Sequence, residues 1–321
     1  MKRIAIVGYA QHKILADAKA LNEVELIMPV VHKVFNDLGI SQDDIGFTCS
    51  GSCDYLQGAA FAFVEGLSAI QTNPPIKESH VEMDAAWAMY ESMLKIKMGD
   101  ADTALIYGFG KSSPGNLDSI ISLQMDPYYI SPLWSDRVSL AALQAKLLLH
   151  QNKITQDEMM ATVIQSRENA TSNPNALLTD LLSEEIYNAD SLVSSPLRAM
   201  DCPPISDGAS AMVIASEEKA YEFTDNPIWI EGIDHSIESS NLGSRDLSTS
   251  PTIQNAIQNL SLTNINFDVA ELHTQFSHEV PFLRELLNLK NVPTNLSGGP
   301  LVGNVMTVSY THLTLPTILL V

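Results

Sequence analysis

Ile4-Ala-Ile-Val-Gly8 reads as a short buried strand, apolar, β-branched and closed by glycine. Sliding the chain so that Ile228 falls on Ile4 also sets Ile230 on Ile6 and Gly232 on Gly8. The same offset, without a gap, pairs Leu262 with Leu38, Asp268 with Asp44, Val269 with Ile45 and His273 with Cys49. A constant offset across strand, helix and strand predicts an internal duplication. The plainer reading is that any two strand–helix–strand units share apolar spacing.

Between these anchors the pattern alternates. Leu26, Ile27, Val30, Val31, Val34, Phe35 and Leu38 recur at helical spacing, and Gly39 is placed to end that helix. A second strand is expected over 44–51, a helix over 84–97 stopped by Gly99, and a buried strand over 103–108. Strand and helix in alternation predict an α/β fold with parallel pairing. Residues 112–198 break the alternation. They open on Ser, Pro and Gly and then carry two helical stretches, about 135–152 and 155–169. Thr155 and Glu158 form the capping-box pattern that starts the second. An insertion of this kind usually covers a site or builds an interface. Ala209-Ser-Ala-Met-Val-Ile-Ala215 returns to a buried strand, and a polar link follows at 217–227.

The chain has 321 residues, 45% of them apolar, so it can bury a sizeable core. Asp and Glu number 38 against 18 Lys and Arg, a net charge of −20. That charge repels nucleic acid and anionic membrane surfaces. No apolar run reaches the roughly 20 residues of a membrane span, and the N-terminus lacks a signal-peptide pattern. A cytoplasmic location is expected. Cys49, Cys53 and Cys202 are too few for a disulfide framework, and Cys49 and Cys53 have no second pair to complete a metal site. No metal is expected, and the three read as ordinary reduced thiols.

Three further strings carry a family resemblance. Ser195-Pro-Leu-Arg-Ala-Met-Asp-Cys-Pro-Pro-Ile-Ser-Asp-Gly-Ala-Ser-Ala211 resembles the segment by which thiolases of the sterol-carrier-protein type enter the last strand of their first half. Ala270-Glu-Leu-His-Thr-Gln-Phe-Ser-His-Glu279 looks like their second-half histidine loop, and Asn295-Leu-Ser-Gly-Gly-Pro-Leu-Val-Gly-Asn304 like the glycine-rich loop after it. With the first strand, the likeness covers about residues 1–307. It implies a thiolase-like α/β fold of two duplicated βαβαβ halves in a layered αβαβα arrangement. Residues 1–217 are then the first half, with the 112–198 insertion covering the site. Residues 226–307 are an incomplete second half. Residues 308–321 resemble no thiolase segment and are expected to be a non-native tail on a truncated chain.

Thiolases attack a thioester with a cysteine thiolate at a helix N-terminus, where the dipole favours the charged form. The resemblance places that nucleophile in Val81-Glu-Met-Asp-Ala-Ala-Trp-Ala-Met-Tyr90, and the matching residue is Asp84. A carboxylate there caps the helix; it serves poorly as an acyl carrier but could act as a general base where burial raises its pKa. By the same resemblance His273 activates a nucleophile or donates to the thioester oxygen. Asn304 stands where many thiolases carry a second histidine, and its amide can stabilise an oxyanion. Gly298, Gly299 and Gly303 would let backbone approach a thioester, or simply make a tight turn. Lys111 is a candidate for a coenzyme A phosphate. His278 is expected on the surface, and Glu279 to orient its loop. Cys202 is expected to pack.

The implied function is an acyl-CoA-handling enzyme of acyltransferase type, acting on a lipid or sterol-like CoA thioester. Alternatives are a retro-aldol carbon–carbon lyase on a CoA thioester, or a non-catalytic lipid-binding or scaffold subunit. The coenzyme A thioester is substrate, with no covalently bound cofactor. Expected partners are a second copy of the chain, as homodimer, and an OB-fold zinc-ribbon protein.

Overall fold

The computed structural model describes residues 2–57, 61–70, 75–82, 84–133, 135–239 and 242–305. The segment 308–321, expected to be a non-native tail, lies outside the described residues. Contacts divide the chain into two compact units. Of the described residues, the first gathers those within 1–115, 205–233 and 304–305, and the second those within 116–204 and 234–303. The described strands are β1 (Ile4–Gln11), β2 (Phe47–Ser52), β3 (Glu78–Glu82), β4 (Thr103–Lys111), β5 (Leu192–Ser194), β6 (Leu197–Arg198), β7 (Ile205–Ser216), β8 (Ile228–Trp229) and β9 (Asn304–Val305).

The first unit is built on one sheet of order β3-β2-β4-β7-β1-β8, with β9 beside β7. Parallel pairing, as the alternation predicts, joins β2 to β3 and β4. β7 departs from it, running antiparallel to both β4 and β1. The chain reaches β7 from β4 through residues 112–204 rather than by a single crossover helix, so no crossover forces it parallel. Its register with β4 runs unbroken from Thr103 opposite Ala215 to Lys111 opposite Asp207.

This strand pair is the centre of the core because both faces are apolar. Leu105, Tyr107 and Phe109 share one face with Ala209, Ala211 and Val213. The helix Glu23–Leu38 covers it with Leu26, Ile27, Val30, Val31 and Val34. Alternate residues Ala104, Ile106, Met212 and Ile214 are also buried, and the helix Ala85–Met98 packs on β2 and β4. The first helix starts at a capping box of Asn22 and Glu25 and stops at Gly39, left-handed at φ 66°. The second stops at Gly99, φ 79°. β3, Glu-Ser-His-Val-Glu, carries no apolar alternation and escaped the sequence reading; it is a partly exposed edge strand whose charges discourage further pairing.

β8 adds to the free edge of β1, so the start of the stretch expected to be a second half joins the first unit's sheet. The stretch aligned with the second strand makes a single parallel bridge, Ala270 with Thr294. In the second unit the helices Arg137–His150 and Gln156–Ala170 form as expected, the latter with its Thr155–Glu158 capping box. Phe276 and Phe282 bury themselves among Val138, Ala142, Ala145 and Leu148. Residues of the insertion and of the histidine loop thus share one core.

Candidate functional site

Asp84 sits in the first unit, immediately before the helix Ala85–Met98, in extended conformation (φ −143°, ψ 176°). Its carboxylate accepts hydrogen bonds from the backbone N–H of Ala86 (2.9 Å) and Trp87 (3.2 Å). It therefore caps the helix whose N-terminus would stabilise an anion in any case. Gly51, at the end of β2, makes room for this turn. A β-carbon on Gly51 would lie 2.3 Å from the Asp84 carbonyl carbon and oxygen.

Lys111 ends β4, and its ammonium donates to the carbonyls of Lys19 (2.9 Å) and Leu21. It ties down the segment before the first helix and keeps one N–H for another acceptor. Asn304 opens β9, paired at its Cα with Ile205 of β7; its side chain lies outside what is described. Asp207, a member of the quoted 195–211 string, is buried and accepts from Ala18 N–H (2.8 Å), Ser113 N–H (3.0 Å) and the Ser113 hydroxyl.

Cys49 and Cys202 offer no ready thiolate. Burial pushes the Cys49 thiol up to about 12 and the Cys202 thiol up to about 11. Cys202 thus packs, as expected, and Cys49 is buried as well. Cys53 is partly exposed.

The second unit holds His273 together with Gly298, Gly299 and Gly303. His273 is half-buried, in a loop fixed on both sides. Before it, Ala270 N–H donates to Pro293 O (2.9 Å), and Leu272 N–H donates to the Asn295 side-chain oxygen (2.6 Å). The Glu271 carboxylate accepts from Ser297 N–H (2.9 Å) and hydroxyl (2.7 Å), lashing the histidine loop to the glycine loop. After it, Glu279 accepts from Gln275 N–H (2.6 Å) and Phe276 N–H (3.2 Å), so it does orient the loop. Ser277 donates its N–H to Asp201 O (3.1 Å) and its hydroxyl to the Asp201 carboxylate, which also accepts from Tyr187 OH (2.9 Å) and Arg198 N–H (2.7 Å).

Burial raises three of these carboxyls above the ordinary range: Asp201, Glu271, and Glu279, which reaches about 7. Their hydrogen bonds pull the other way and only partly offset desolvation. His278 corrects the expectation of a surface residue. It is fully buried, its Nε2 is 3.2 Å from Gln144 Oε1, and burial pushes it down to about 4, so the ring is neutral at physiological pH. The signal available in the sequence was the apolar spacing of Phe276, Val280 and Phe282, which turns the loop inward.

Gly298 (φ 93°) and Gly299 (φ 65°) both need glycine's left-handed freedom. A β-carbon on Gly298 would meet Val302 Cγ2 at 2.6 Å and Ser166 O at 2.9 Å. The close approach is thus to the helix Gln156–Ala170. An open groove of about 740 Å³ lies elsewhere in this unit, lined by Gln165, Asn169, Arg284 and Asn295 among others, and none of the candidate residues lines it.

No family model matches the chain. It is 26% identical over 292 residues to an acetyl-CoA acetyltransferase of Methanocaldococcus jannaschii, covering 86% of this chain and 74% of that one. In fold it is similar to the human mitochondrial 3-ketoacyl-CoA thiolase at a TM-score of 0.76 and 17% identity, over 98% of this chain and 90% of the thiolase. It is also similar to the Ltp2-ChsH2(DUF35) aldolase at a TM-score of 0.73 and 19% identity, over 94% of this chain and 86% of that one. In fold the chain is thiolase-like, and along most of its length it is similar in sequence to an acetyl-CoA acetyltransferase.

Proposed function

We propose that this chain acts on a coenzyme A thioester without forming an acyl-enzyme, as a carbon–carbon lyase of retro-aldol type. One observation carries the reading: the helix N-terminus that would hold a thiolate holds the Asp84 carboxylate instead. Cys49 is buried and Cys202 partly buried, both with raised thiols, so neither readily replaces the usual nucleophile. A mixed anhydride on Asp84 would be a poor acyl carrier, whereas a carboxylate is a competent base. Retro-aldol cleavage needs only such a base and a stabiliser for the enolate oxygen. The base takes the proton of a β-hydroxyl, the Cα–Cβ bond breaks to leave a carbonyl product, and the electron pair passes to the thioester as an enolate. A proton then returns to carbon.

The likeness in fold to an aldolase supports this reading, and the likeness to an acetyl-CoA acetyltransferase supports CoA thioesters as the substrate class. His273 and Asn304 keep the roles the resemblance gives them, donors to a thioester oxygen, with Lys111 a candidate for a CoA phosphate and Gly303 for backbone contact. A lipid or sterol-type acyl group, a homodimer and an OB-fold zinc-ribbon partner belong to the same proposal. The aldolase of similar fold carries a second component, ChsH2(DUF35), in its name.

A second reading rests on the same carboxylate. Asp84 accepts two helix N–H bonds, as a purely structural cap does, and a non-catalytic subunit would need no more. The experiment is to incubate the protein with β-hydroxyacyl-CoA esters and follow carbonyl product by mass spectrometry. Cleavage abolished by Asp84→Asn supports the lyase. Acetyl transfer to CoA by Asp84→Cys alone supports a decayed acyltransferase. Binding of CoA ester without turnover leaves the subunit.

A further inference from the structure

We infer that the first unit carries a divalent transition-metal site formed by Asp54, His80 and Glu82. One atom from each side chain, a carboxylate oxygen or an imidazole nitrogen, lies within 4.8 Å of the other two. His80 and Glu82 are alternate residues of β3, so their side chains leave the same face of the edge strand. Asp54 joins them because its own N–H donates to Glu82 Oε1 (2.8 Å), drawing the two carboxylates together.

The imidazole is set up as a ligand. His80 Nδ1 is 2.9 Å from the hydroxyl of Ser50, its cross-strand neighbour on β2. Phe63 stacks flat on the ring, with centroids 4.3 Å apart and planes 9° from parallel. A ring whose Nδ1 is held by a hydroxyl and whose plane is clamped has its Nε2 aimed in one direction, the arrangement that orients metal-bound histidines. That direction is toward Glu82 Oε2, 3.4 Å away. With bonds of about 2.1 Å, two ligand atoms of a tetrahedral Zn²⁺ lie about 3.4 Å apart.

The charge balance points the same way. Glu82 faces the imidazole Nε2, the Asp54 carboxylate, which also accepts from Phe61 N–H and Ala62 N–H, has an oxygen within 4.8 Å, and the whole chain carries −20. A lone pair on Nε2 directed at a carboxylate is repelled unless a positive charge stands between them, whether a proton or a metal. One nitrogen and two carboxylate oxygens suit borderline ions such as Zn²⁺ better than Ca²⁺ or Mg²⁺, which prefer all-oxygen sets. Glu82 is half exposed, which leaves an entry path and a coordination position for water. Glu82 stands two residues before Asp84, so a bound ion would brace the end of β3 that leads into the helix cap.

The test is to strip the purified chain with chelator and titrate it with Zn²⁺ by calorimetry, alongside Glu82→Gln, His80→Gln, Ser50→Ala and Cys53→Ser. Circular dichroism checks that each variant keeps the parent fold. The expected result is one ion per chain, with affinity reduced more than tenfold in Glu82→Gln and His80→Gln. Ser50→Ala is expected to weaken binding about tenfold, as loss of an orienting partner does. Absence of Zn²⁺ binding by the parent protein overturns the site. So does binding that survives Glu82→Gln and His80→Gln but disappears in Cys53→Ser, which would place the ion on the thiol.

Discussion

The backbone of Asp84 rests on Gly51: a β-carbon there would stand 2.3 Å from the Asp84 carbonyl and 2.6 Å from Ala85 N. The position of the helix tip is therefore set by the absence of a side chain on the strand beneath it. Gly51→Ala must push backbone against backbone. It should destabilise the protein by about 1–3 kcal/mol, the usual cost of overpacking, and displace the carboxylate. Denaturant unfolding measures the first effect; a fall in CoA-ester turnover larger than the loss of folded protein would show the second.

Cap and base can be separated at Asp84 itself. Asparagine caps a helix about as well as aspartate, while alanine loses roughly 1 kcal/mol. Asp84→Asn should keep the parent unfolding midpoint and lose turnover, whereas Asp84→Ala should lose both. Full activity in the asparagine variant would remove the general base from the proposal.

Adjacent residues His278 and Glu279 should oppose one another in the pH dependence of stability. Burial holds His278 near 4 against an ordinary 6.5, so in that window the unfolded chain binds more protons and stability rises with pH. Burial raises Glu279 to about 7 from an ordinary 4.5, so there the folded chain binds more protons and stability falls with pH. Each slope is on the order of 1 kcal/mol per pH unit where it is fully expressed. Relative to the parent, Glu279→Gln should gain a stability that rises more steeply between about 4.5 and 6.5. His278→Gln should do the reverse. Unfolding midpoints in urea at pH 5, 6 and 7 would read both.

Asp201 is completely buried and accepts from Tyr187, Ser277 and the Arg198 backbone. Asp201→Ala leaves all three donors without an acceptor in the interior. A loss of about 3 kcal/mol or more is expected, and Ser277→Ala should cost less, about 1–2 kcal/mol. Equal losses in the two variants would show that the network is not centred on the carboxylate.

Helix ends were legible because their causes are local. Thr155 with Glu158, and glycines 39 and 99, cap the helices the periodicity suggested, to within a residue or two, and the structure adds the Asn22–Glu25 box. The central strands were legible from unbroken apolar runs, though Thr103–Lys111 and Ile205–Ser216 extend further than those runs. β3 was not legible: its five residues hold one apolar side chain, and it exists because β2 offers a free edge. For the same reason His80 and Glu82 gave no signal as a cluster, since Asp54 reaches them only after the turn beyond β2 has formed.

The candidate residues divide along similar lines. The sequence by itself determined the strand–helix alternation, the Thr155 cap and the glycine stops, the strings that resemble thiolases, and that an aspartate stands where that resemblance expects a thiol. Each of these is written in residues a few positions apart. Only the tertiary structure decided that β7 runs antiparallel, that Gly298 is spent on packing against Ser166, that His278 is interior, and that two thiols are silenced. Those outcomes depend on burial and pairing between residues far apart in the chain, and desolvation has no counterpart in local spacing.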